Sequence, residues 1–170
     1  PWNYIDGIAV TYGAGLIGSL LIGTLTARTL AITKNKPLYA INHVEAHVYA
    51  NFLTESLQPT YKTAQNAPTF PMLALIVSGG HSQLALFEDH FSYQLLGQTQ
   101  DDAIGEAFDK VAKILGLPYP GGVSIDKKSA EGNAQAYTFP KARMQNKYDF
   151  SFSGLKTAVL RLAQSEIGER

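Results

Sequence analysis

The sequence of 170 residues contains no cysteine. This absence excludes a disulfide framework, a metal site built on thiolates and a cysteine nucleophile. Any metal bound by the chain therefore needs histidine nitrogens and carboxylate oxygens as ligands. A chain without cysteine also fits a reducing compartment, and we expect a cytoplasmic protein.

The chain also lacks a net charge, because 14 lysine and arginine side chains balance 14 aspartate and glutamate side chains. It has no global basic field, so a nucleic acid partner would have to meet a local patch or groups that this chain does not carry. A hydrophobic content of 45% and a charged content of 16% are typical of a folded protein. At this length we expect one domain or two small lobes.

No charged residue occurs between Gly7 and Ala27, and a run of this length raises the question of a membrane span. The run is interrupted by "TYGAG", and it begins with a segment rich in β-branched residues that is typical of a strand. We therefore predict a buried strand, turn and helix, with no membrane segment. The opening "PWNYIDGIAV" has neither a basic stretch nor an apolar core, so no signal peptide is expected.

Hydrophobic periodicity predicts alternating strands and helices in the first part of the chain. The strands are "IDGIAVTY" and "PLYAIN", and between them "AGLIGSLLIGTLTARTLAI" is a helix that is apolar nearly all round. This order favours a parallel sheet with helices on its faces and with sites where strands end and helices begin. The following "TESLQPTYKTAQNAPTFP" has no periodicity and indicates a surface loop or insertion.

Two histidines, His43 and His47, stand four residues apart in "INHVEAHVYANF". In a helix their imidazoles would lie on one face about one turn apart, with Glu45 pointing away from both. Such a pair can bind a metal or simply pack, and the spacing alone leaves both open. A helical zinc peptidase is disfavoured, because its H-E-x-x-H pattern places the glutamate directly after the first histidine.

The segment "MLALIVSGGHSQLALFED" consists of two apolar runs joined across "SGGHS", which predicts a β-hairpin. Paired glycines can supply positive φ angles and let a ligand approach the backbone. Ser78, His81 and Ser82 add polar groups at the tip. The string is compatible with a plain β-turn and with a phosphate-binding turn.

Farther along, "DDAIGEAFDKVAKILGL" predicts an amphipathic helix. Asp102, Glu106 and Asp109 share one face of this helix, which is either a solvated face or the lining of a cleft where carboxylates bind ribose hydroxyls or water on a metal. The opposite face is apolar and comprises Ile104, Phe108, Val111 and Leu115.

Two further stretches place polar groups at predicted helix starts. "PYPGGVSID" is a turn that leads into a helix beginning at Ser124 or Asp126, where backbone amides can hold an anion or a sugar hydroxyl. "YDFSFSGLKTAVLRLAQSEIGER" becomes helical with Lys156 near its start. That lysine could meet a phosphate, although a solvated lysine is the commoner outcome.

Four segments in this order, "NHVEAHVYA", "VSGGHS", "DDAIGEAFDKVAKILGLPYPGG" and "FSFSGLKTA", closely resemble the bacterial TsaD family of tRNA threonylcarbamoyladenosine synthases, once described as O-sialoglycoprotein endopeptidases. The resemblance covers nearly the whole chain. It implies a fold of the actin, sugar kinase and Hsp70 type, with two α/β lobes and a nucleotide in the cleft. It also implies metal-dependent transfer of a threonylcarbamoyl group from threonylcarbamoyl-adenylate to the exocyclic amine of an adenosine beside the tRNA anticodon.

The resemblance further implies site residues and partners. His43 and His47 match the family's metal-binding histidines, for one divalent ion, with iron favoured over zinc. No catalytic residue is assigned. The partners implied are tRNA, the adenylate, a paralogous subunit of the same fold and a small ATPase subunit. The residues that match substrate-binding positions are Ile76, Val77, Ser78, Gly79, Gly80, Asp109, Gly122 and Asp126.

Compared with this family the chain departs in length, and we expect a fragment that is incomplete at both ends and inactive alone. Residues 1–70 would form the end of a first lobe with the metal-binding helix. Residues 71–170 would begin a second lobe with the substrate-binding hairpin and helices. The family's amino-terminal glycine-rich strand is missing, as is the carboxy-terminal segment that carries an aspartate ligand and a substrate-binding asparagine. Ala14 stands where the family usually has proline.

One alternative within the same family is a non-catalytic dimerisation scaffold. The family's paralogous scaffold subunits lack the metal histidines, so His43 and His47 argue against that interpretation.

Overall fold

A computed structural model of the chain describes residues 2–53 and 67–168. The chain separates into two compact units, residues 1–68 and 69–170. Each unit contains both helices and strands, so the predicted α/β class is confirmed. The greater part of the predicted insertion "TESLQPTYKTAQNAPTFP" lies outside the described residues.

The first unit alternates strands and helices as the periodicity predicts. Its two strands pair in parallel, with Ile8 opposite Leu38 and Thr11 opposite Ile41, because the intervening helix returns the chain to the same edge of the sheet. The second strand passes directly into the histidine-bearing helix. The elements are β1 (Ile8–Gly13), α1 (Ile17–Lys34), β2 (Leu38–Asn42) and α2 (His43–Tyr49).

The burial predicted for the first strand, turn and helix is wrong for α1. Its buried residues are Ala27 and Ala31, whereas Ile17 is 83% exposed and Ile22 is 70% exposed. A sheet of two strands can cover only one face of a helix, so a helix that is apolar all round keeps its other faces accessible. Among the described residues, no helix combines the length and the apolar character needed to cross a bilayer.

The second unit contains an antiparallel sheet followed by three helices. The predicted hairpin is confirmed, with Val77 opposite Ser82 at its closed end. The third strand was not predicted, because Ser92, Gln94 and Gln98 interrupt its apolar pattern. The elements are β3 (Met72–Val77), β4 (Ser82–Asp89), β5 (Ser92–Gln98), α3 (Ile104–Ile114), α4 (Gly121–Ser129) and α5 (Ser153–Ile167).

Helix α4 begins at Gly121, earlier than the predicted start at Ser124 or Asp126. The cause is tertiary, since the Asp109 carboxylate on α3 accepts a hydrogen bond from the Gly121 amide over 2.7 Å. A carboxylate at the first turn satisfies one of the amides that a helix start leaves unpaired. A capping group from another helix cannot be read from the local turn sequence.

The chain beyond α4 returns to the edge of β5. The Gln98 amide donates to the Asp149 carboxylate over 3.0 Å, and the Phe150 amide donates to the Gln98 carbonyl over 3.0 Å. A short parallel bridge joins Thr99 to Phe150. This return brings the start of α5 beside the start of α3, where Asp102, Lys110 and Lys156 meet.

Candidate functional site

The histidine pair is placed by the junction between β2 and α2. Asn42 ends the strand and caps the helix, because its Oδ1 atom accepts hydrogen bonds from the amides of Val44 at 2.9 Å and Glu45 at 3.3 Å. Side chains of this type at the N-cap stabilise the first helical turn. His43 is therefore held at the carboxyl end of a parallel strand, where sites are expected in α/β folds.

The two imidazoles converge on one point. Their Nε2 atoms are 3.3 Å apart, their ring centroids are 4.6 Å apart, and both side chains are exposed. A tetrahedral ion bound at about 2.05 Å to each nitrogen would hold the two nitrogens about 3.3 Å apart. The same separation also allows one imidazole to donate a hydrogen bond to the other. The pair thus fits two adjacent ligand positions of one metal ion.

A metal site of this kind needs further ligands. Within residues 2–53 and 67–168, no cluster of three or more histidine, aspartate or glutamate side chains is arranged to hold a metal. The described part of the chain therefore offers two donors, His43 and His47. The predicted aspartate ligand from another segment stays a prediction.

The turn between β3 and β4 is closed by Ser78. The Ser78 amide donates to the His81 carbonyl over 2.8 Å, and the Ser78 Oγ atom accepts from the His81 amide over 3.0 Å. Gly79 and Gly80 do not have positive φ angles, so the predicted conformational reason for these glycines is wrong. A Cβ atom added to either glycine would meet nothing within 4 Å. The glycines instead leave the outer surface of the turn open.

The start of α3 lies against the inner side of this turn. The Gly105 amide donates to the Ser78 carbonyl over 3.2 Å, and the Ile104 amide donates to the Ser82 Oγ atom over 2.9 Å. Ser82 is 2% exposed, so the hydroxyl that holds α3 is inside the protein.

Two further residues predicted to bind the substrate, Ile76 and Val77, end β3 just before this turn. Ile76 is buried and Val77 is exposed.

The remaining substrate-binding residues predicted from the resemblance follow along α3 and α4. Asp109 lies four residues after Gly105 and hence on the same face of α3. Its Oδ1 atom is engaged by Gly121, at the start of α4. Gly122 and Asp126 are again one helical turn apart, and an added Cβ at Gly122 would meet nothing within 4 Å. The turn, Asp109 and the start of α4 thus follow one another along one face of α3.

Asp102 and Glu106, two of the three acids on the acidic face predicted for α3, form ion pairs, so this face is not simply solvated. Asp102 precedes α3 and accepts hydrogen bonds from the Nζ atoms of Lys110 at 2.6 Å and Lys156 at 2.8 Å. Glu106 lies 2.7 Å from the same Lys110. Hydrogen bonds from Lys110 and Lys156 lower the pKa of Asp102, and hydrogen bonds to Asp102 and Glu106 raise the pKa of Lys110. Lys156 is therefore engaged at the junction of α3 and α5, contrary to the expectation of a solvated lysine.

Asp101 makes a second connection between the starts of α3 and α5, which the sequence did not predict. Its carboxylate accepts hydrogen bonds from the Ser151 hydroxyl and, over 2.8 Å, from the Phe152 amide. Burial acts to raise the pKa of Asp101, but these hydrogen bonds outweigh it and the pKa is lowered. The only sequence signal was the consecutive acids in "QDDA", since the partners lie far along the chain. Together Asp101 and Asp102 fasten the start of α5 to the start of α3.

An apolar cleft of about 150 Å³ lies between α3, α4 and α5. The apolar face predicted for α3 lines it through Ile104, Phe108 and Val111, opposite Leu155 and Val159 of α5. Leu115, the fourth residue of the predicted face, is 42% exposed and lies outside the lining. The apolar face of α3 therefore contacts α4 and α5 across the cleft, while Gly105 and Asp109 on another face contact the turn and the start of α4.

Comparison with known proteins places this arrangement in a family. The sequence profile of the TsaD family, described as tRNA N6-adenosine threonylcarbamoyltransferase, matches residues 1–169. The chain belongs to this family. The residues of the open turn, the histidine pair and the α3 to α4 junction all lie inside the matched region.

Curated relatives agree with this assignment. Proteins named tRNA N6-adenosine threonylcarbamoyltransferase from Desulfitobacterium hafniense and Dictyoglomus turgidum are each 55% identical to the chain, over 95% and 94% of its length. A protein of the same name from Gloeobacter violaceus is 49% identical over 96% of the chain. The match covers 45% of each of these three relatives. The chain thus spans less than half the length of these relatives.

Proposed function

We propose that the protein carrying this chain is a tRNA-modifying acyltransferase, which transfers a threonylcarbamoyl group from threonylcarbamoyl-adenylate to the exocyclic amine of an adenosine beside the tRNA anticodon. The family match over residues 1–169 carries this proposal. The α/β composition of both units is compatible with a fold of the actin, sugar kinase and Hsp70 type. The acceptor tRNA, a paralogous subunit and a small ATPase would be its partners in the cytoplasm.

The reaction requires positioning more than a covalent nucleophile. The adenosine amine nitrogen attacks the carbamoyl carbon, the bond from that carbon to the phosphate oxygen breaks, and the amine loses a proton. The products are threonylcarbamoyl-adenosine in tRNA and adenosine monophosphate. Because the phosphate is already a good leaving group, orientation and charge stabilisation supply most of the acceleration.

The second unit offers groups for the adenylate. The open outer surface of Gly79 and Gly80 lets phosphate or carbamoyl oxygens approach the backbone of the turn. Asp109 uses Oδ1 for the Gly121 amide, which leaves Oδ2 to accept a hydrogen bond from a ribose hydroxyl. Asp126, exposed on α4, would accept from the ribose in the same way. Their order along α3 and α4 suits one extended ligand.

The first unit offers ligands for one divalent ion, for which iron is favoured over zinc. His43 and His47 would supply two imidazole nitrogens, whose separation of 3.3 Å suits adjacent ligand positions. When bound, such an ion would polarise a carbonyl group and orient the threonylcarbamoyl group. The capping of α2 by Asn42 supports this proposal, because it stabilises the helix turn that carries both histidines.

The test uses a chain of the relatives' length that carries this sequence, called the long form below. It is incubated with threonylcarbamoyl-adenylate, the partner subunits and tRNA, and the nucleosides are then analysed by mass spectrometry. We expect threonylcarbamoyl-adenosine in tRNA that has adenosine at the acceptor position. Transcripts with guanosine at that position, which lacks the exocyclic amine at the attacked site, should stay unmodified.

Two variants separate the enzyme from a scaffold. The double substitution His43→Ala/His47→Ala should abolish the modification, while His90→Ala, which changes a histidine in the second unit outside the candidate site, should preserve it. Full activity of the double variant would contradict the proposed role of the histidines. A long form that forms no product with any tRNA would contradict the proposed function itself and favour the dimerisation scaffold.

A further inference from the structure

Residue 105 is the contact point between α3 and the inner side of the turn formed by Ser78, Gly79 and Gly80. A Cβ atom added to Gly105 would lie 2.8 Å from the Gly79 Cα atom, 2.8 Å from the Ser78 carbonyl oxygen and 3.0 Å from the Gly79 nitrogen. All three neighbours are backbone atoms, which cannot rotate away as a flexible side chain can. The absence of a side chain at residue 105 therefore lets the backbone of the turn pack directly against the helix.

The same contact is held by hydrogen bonds on either side. The Gly105 amide donates to the Ser78 carbonyl over 3.2 Å, and the preceding Ile104 amide donates to the buried Ser82 hydroxyl over 2.9 Å. Both acceptors flank the glycines of the turn. The start of α3 consequently determines the distance between the turn and the helix. Because Asp109 lies on the same helix, it also determines the distance between the turn and Asp109.

A glycine at the second residue of a helix does not in general pack closely against another part of the backbone, as the other helices show. Gly105 is the second residue of α3, and Gly18, Gly122 and Gly154 are the second residues of α1, α4 and α5. An added Cβ at any of these other three would meet nothing within 4 Å. Close contact with a turn backbone is thus particular to Gly105 among the four.

We propose that Gly105 is a positioning residue, which sets the backbone of the Ser78–Gly80 turn for binding of the adenylate. The effect of this position on adenylate binding depends on the proposed function. Carbon atoms in contact prefer separations of about 3.5 Å or more, so a methyl group at residue 105 would displace the turn by about 0.7 Å. Binding groups must be held within about 0.5 Å, and a displacement near 1 Å can reduce activity about a hundredfold.

The experiment compares Gly105→Ala with Gly154→Ala in the long form. Both changes place alanine at the second position of a helix, so both gain the same helix propensity, but only the first meets a backbone. We expect Gly105→Ala to raise the KM for threonylcarbamoyl-adenylate and the Kd of a stable analogue at least about tenfold. Gly154→Ala should leave both within twofold, and the KM for tRNA should be unchanged in both variants.

A structural readout accompanies the kinetics and does not depend on activity. In the unliganded long form labelled with ¹⁵N-glycine, the amide signals of Gly79 and Gly80 should shift in Gly105→Ala and stay in place in Gly154→Ala. Ser82→Ala, which removes the hydroxyl that holds the Ile104 amide, should move the same signals even if Gly105→Ala does not fold. It should also weaken analogue binding by a smaller factor.

Unshifted Gly79 and Gly80 signals in every folded variant would overturn the positioning role, whatever the activity. Shifted signals with an unchanged analogue Kd would overturn its connection to substrate binding. A wild-type long form that binds no analogue would contradict the proposed function, and in that case the glycine signals alone still decide whether residue 105 sets the turn.

Discussion

The two units hold their candidate functional groups in different ways. In the first unit, His43 and His47 are brought together by one short helix, and the cap that fixes this helix is the preceding residue, Asn42. In the second unit, the turn, Asp109 and the start of α4 are brought together by contacts between different elements along α3. The first arrangement is local in sequence and the second is tertiary.

This difference predicts where each site is vulnerable. A local site should fail when its own ligands change and should tolerate changes in distant helices. A tertiary site should respond to substitutions at contacts that never touch the ligand, such as Asp102 or Gly105.

The largest effect is expected for the two proposed metal ligands, His43 and His47. His43→Ala/His47→Ala should reduce divalent metal affinity of the long form by more than about a hundredfold, because even the partners of metal ligands contribute ten- to a hundredfold. Elemental analysis after dialysis measures the bound metal, with His90→Ala as the control for loss of a histidine elsewhere. Equal metal content in the double variant and in His90→Ala would show that the pair is not a metal site.

Asp102 should matter next, through the tertiary contacts of the second unit. Its side chain is 15% exposed and joins Lys110 to Lys156, so Asp102→Ala leaves two ammonium groups without their shared partner. We expect the free energy of opening of α5 to fall by about 2 kcal/mol. Hydrogen exchange of the α5 amides measures this opening.

The matched control for Asp102 is an exposed ion pair of the same unit. Lys128 and Glu131 are 3.0 Å apart with side chains 62% and 70% exposed, and Glu131→Ala should change stability by less than about 0.5 kcal/mol. Similar losses in both variants would show that the burial of Asp102 confers no special role.

The sequence predicted the local features well and the tertiary ones poorly. The β-α-β-α order, the hairpin and the i,i+4 histidine pair follow from patterns within a few residues. The start of α4, the partners of Lys156 and the role of Asp101 depend on residues far apart in the chain. The third strand was missed because polar side chains weaken its apolar pattern.

The pH dependence of stability should follow the same ion pairs. The pKa of Asp102 lies below its ordinary value of 3.8, so its contribution is fully present above pH 3.8 and is lost as the pH falls through the lowered pKa. The pKa of Lys110 lies above 10.5, so its contribution is present below that pH and is lost as the pH rises through the raised pKa. Urea denaturation of the long form across pH measures the loss of stability at low pH and the loss at high pH.

The decline of stability at low pH is the more specific test of the Asp102 contacts. Asp102→Asn should flatten the decline of stability below pH 3.8 relative to wild type, because asparagine does not titrate. Asp101 also has a lowered pKa and should retain part of the decline. A decline of unchanged slope in Asp102→Asn would contradict the stabilising role of the Lys110 and Lys156 contacts.

The smallest effect is expected at the cap of the histidine helix. Asn42→Ala removes the acceptor for the Val44 and Glu45 amides, and loss of an N-cap costs about 1 kcal/mol, or about fivefold in metal affinity. Asn42→Ser keeps a capping oxygen and should stay close to wild type. Metal titration of the long form distinguishes the two, and identical affinities would show that the local cap does not hold the pair.

We propose that the open turn binds the adenylate in a position set by α3. Titration of the ¹⁵N-glycine-labelled long form with a stable threonylcarbamoyl-adenylate analogue measures this binding. We expect the amide signals of Gly79, Gly80 and Gly122 to shift on binding, while those of Gly132 and Gly154 stay in place. Saturable binding that leaves Gly79 and Gly80 unshifted would contradict the proposed role of the turn.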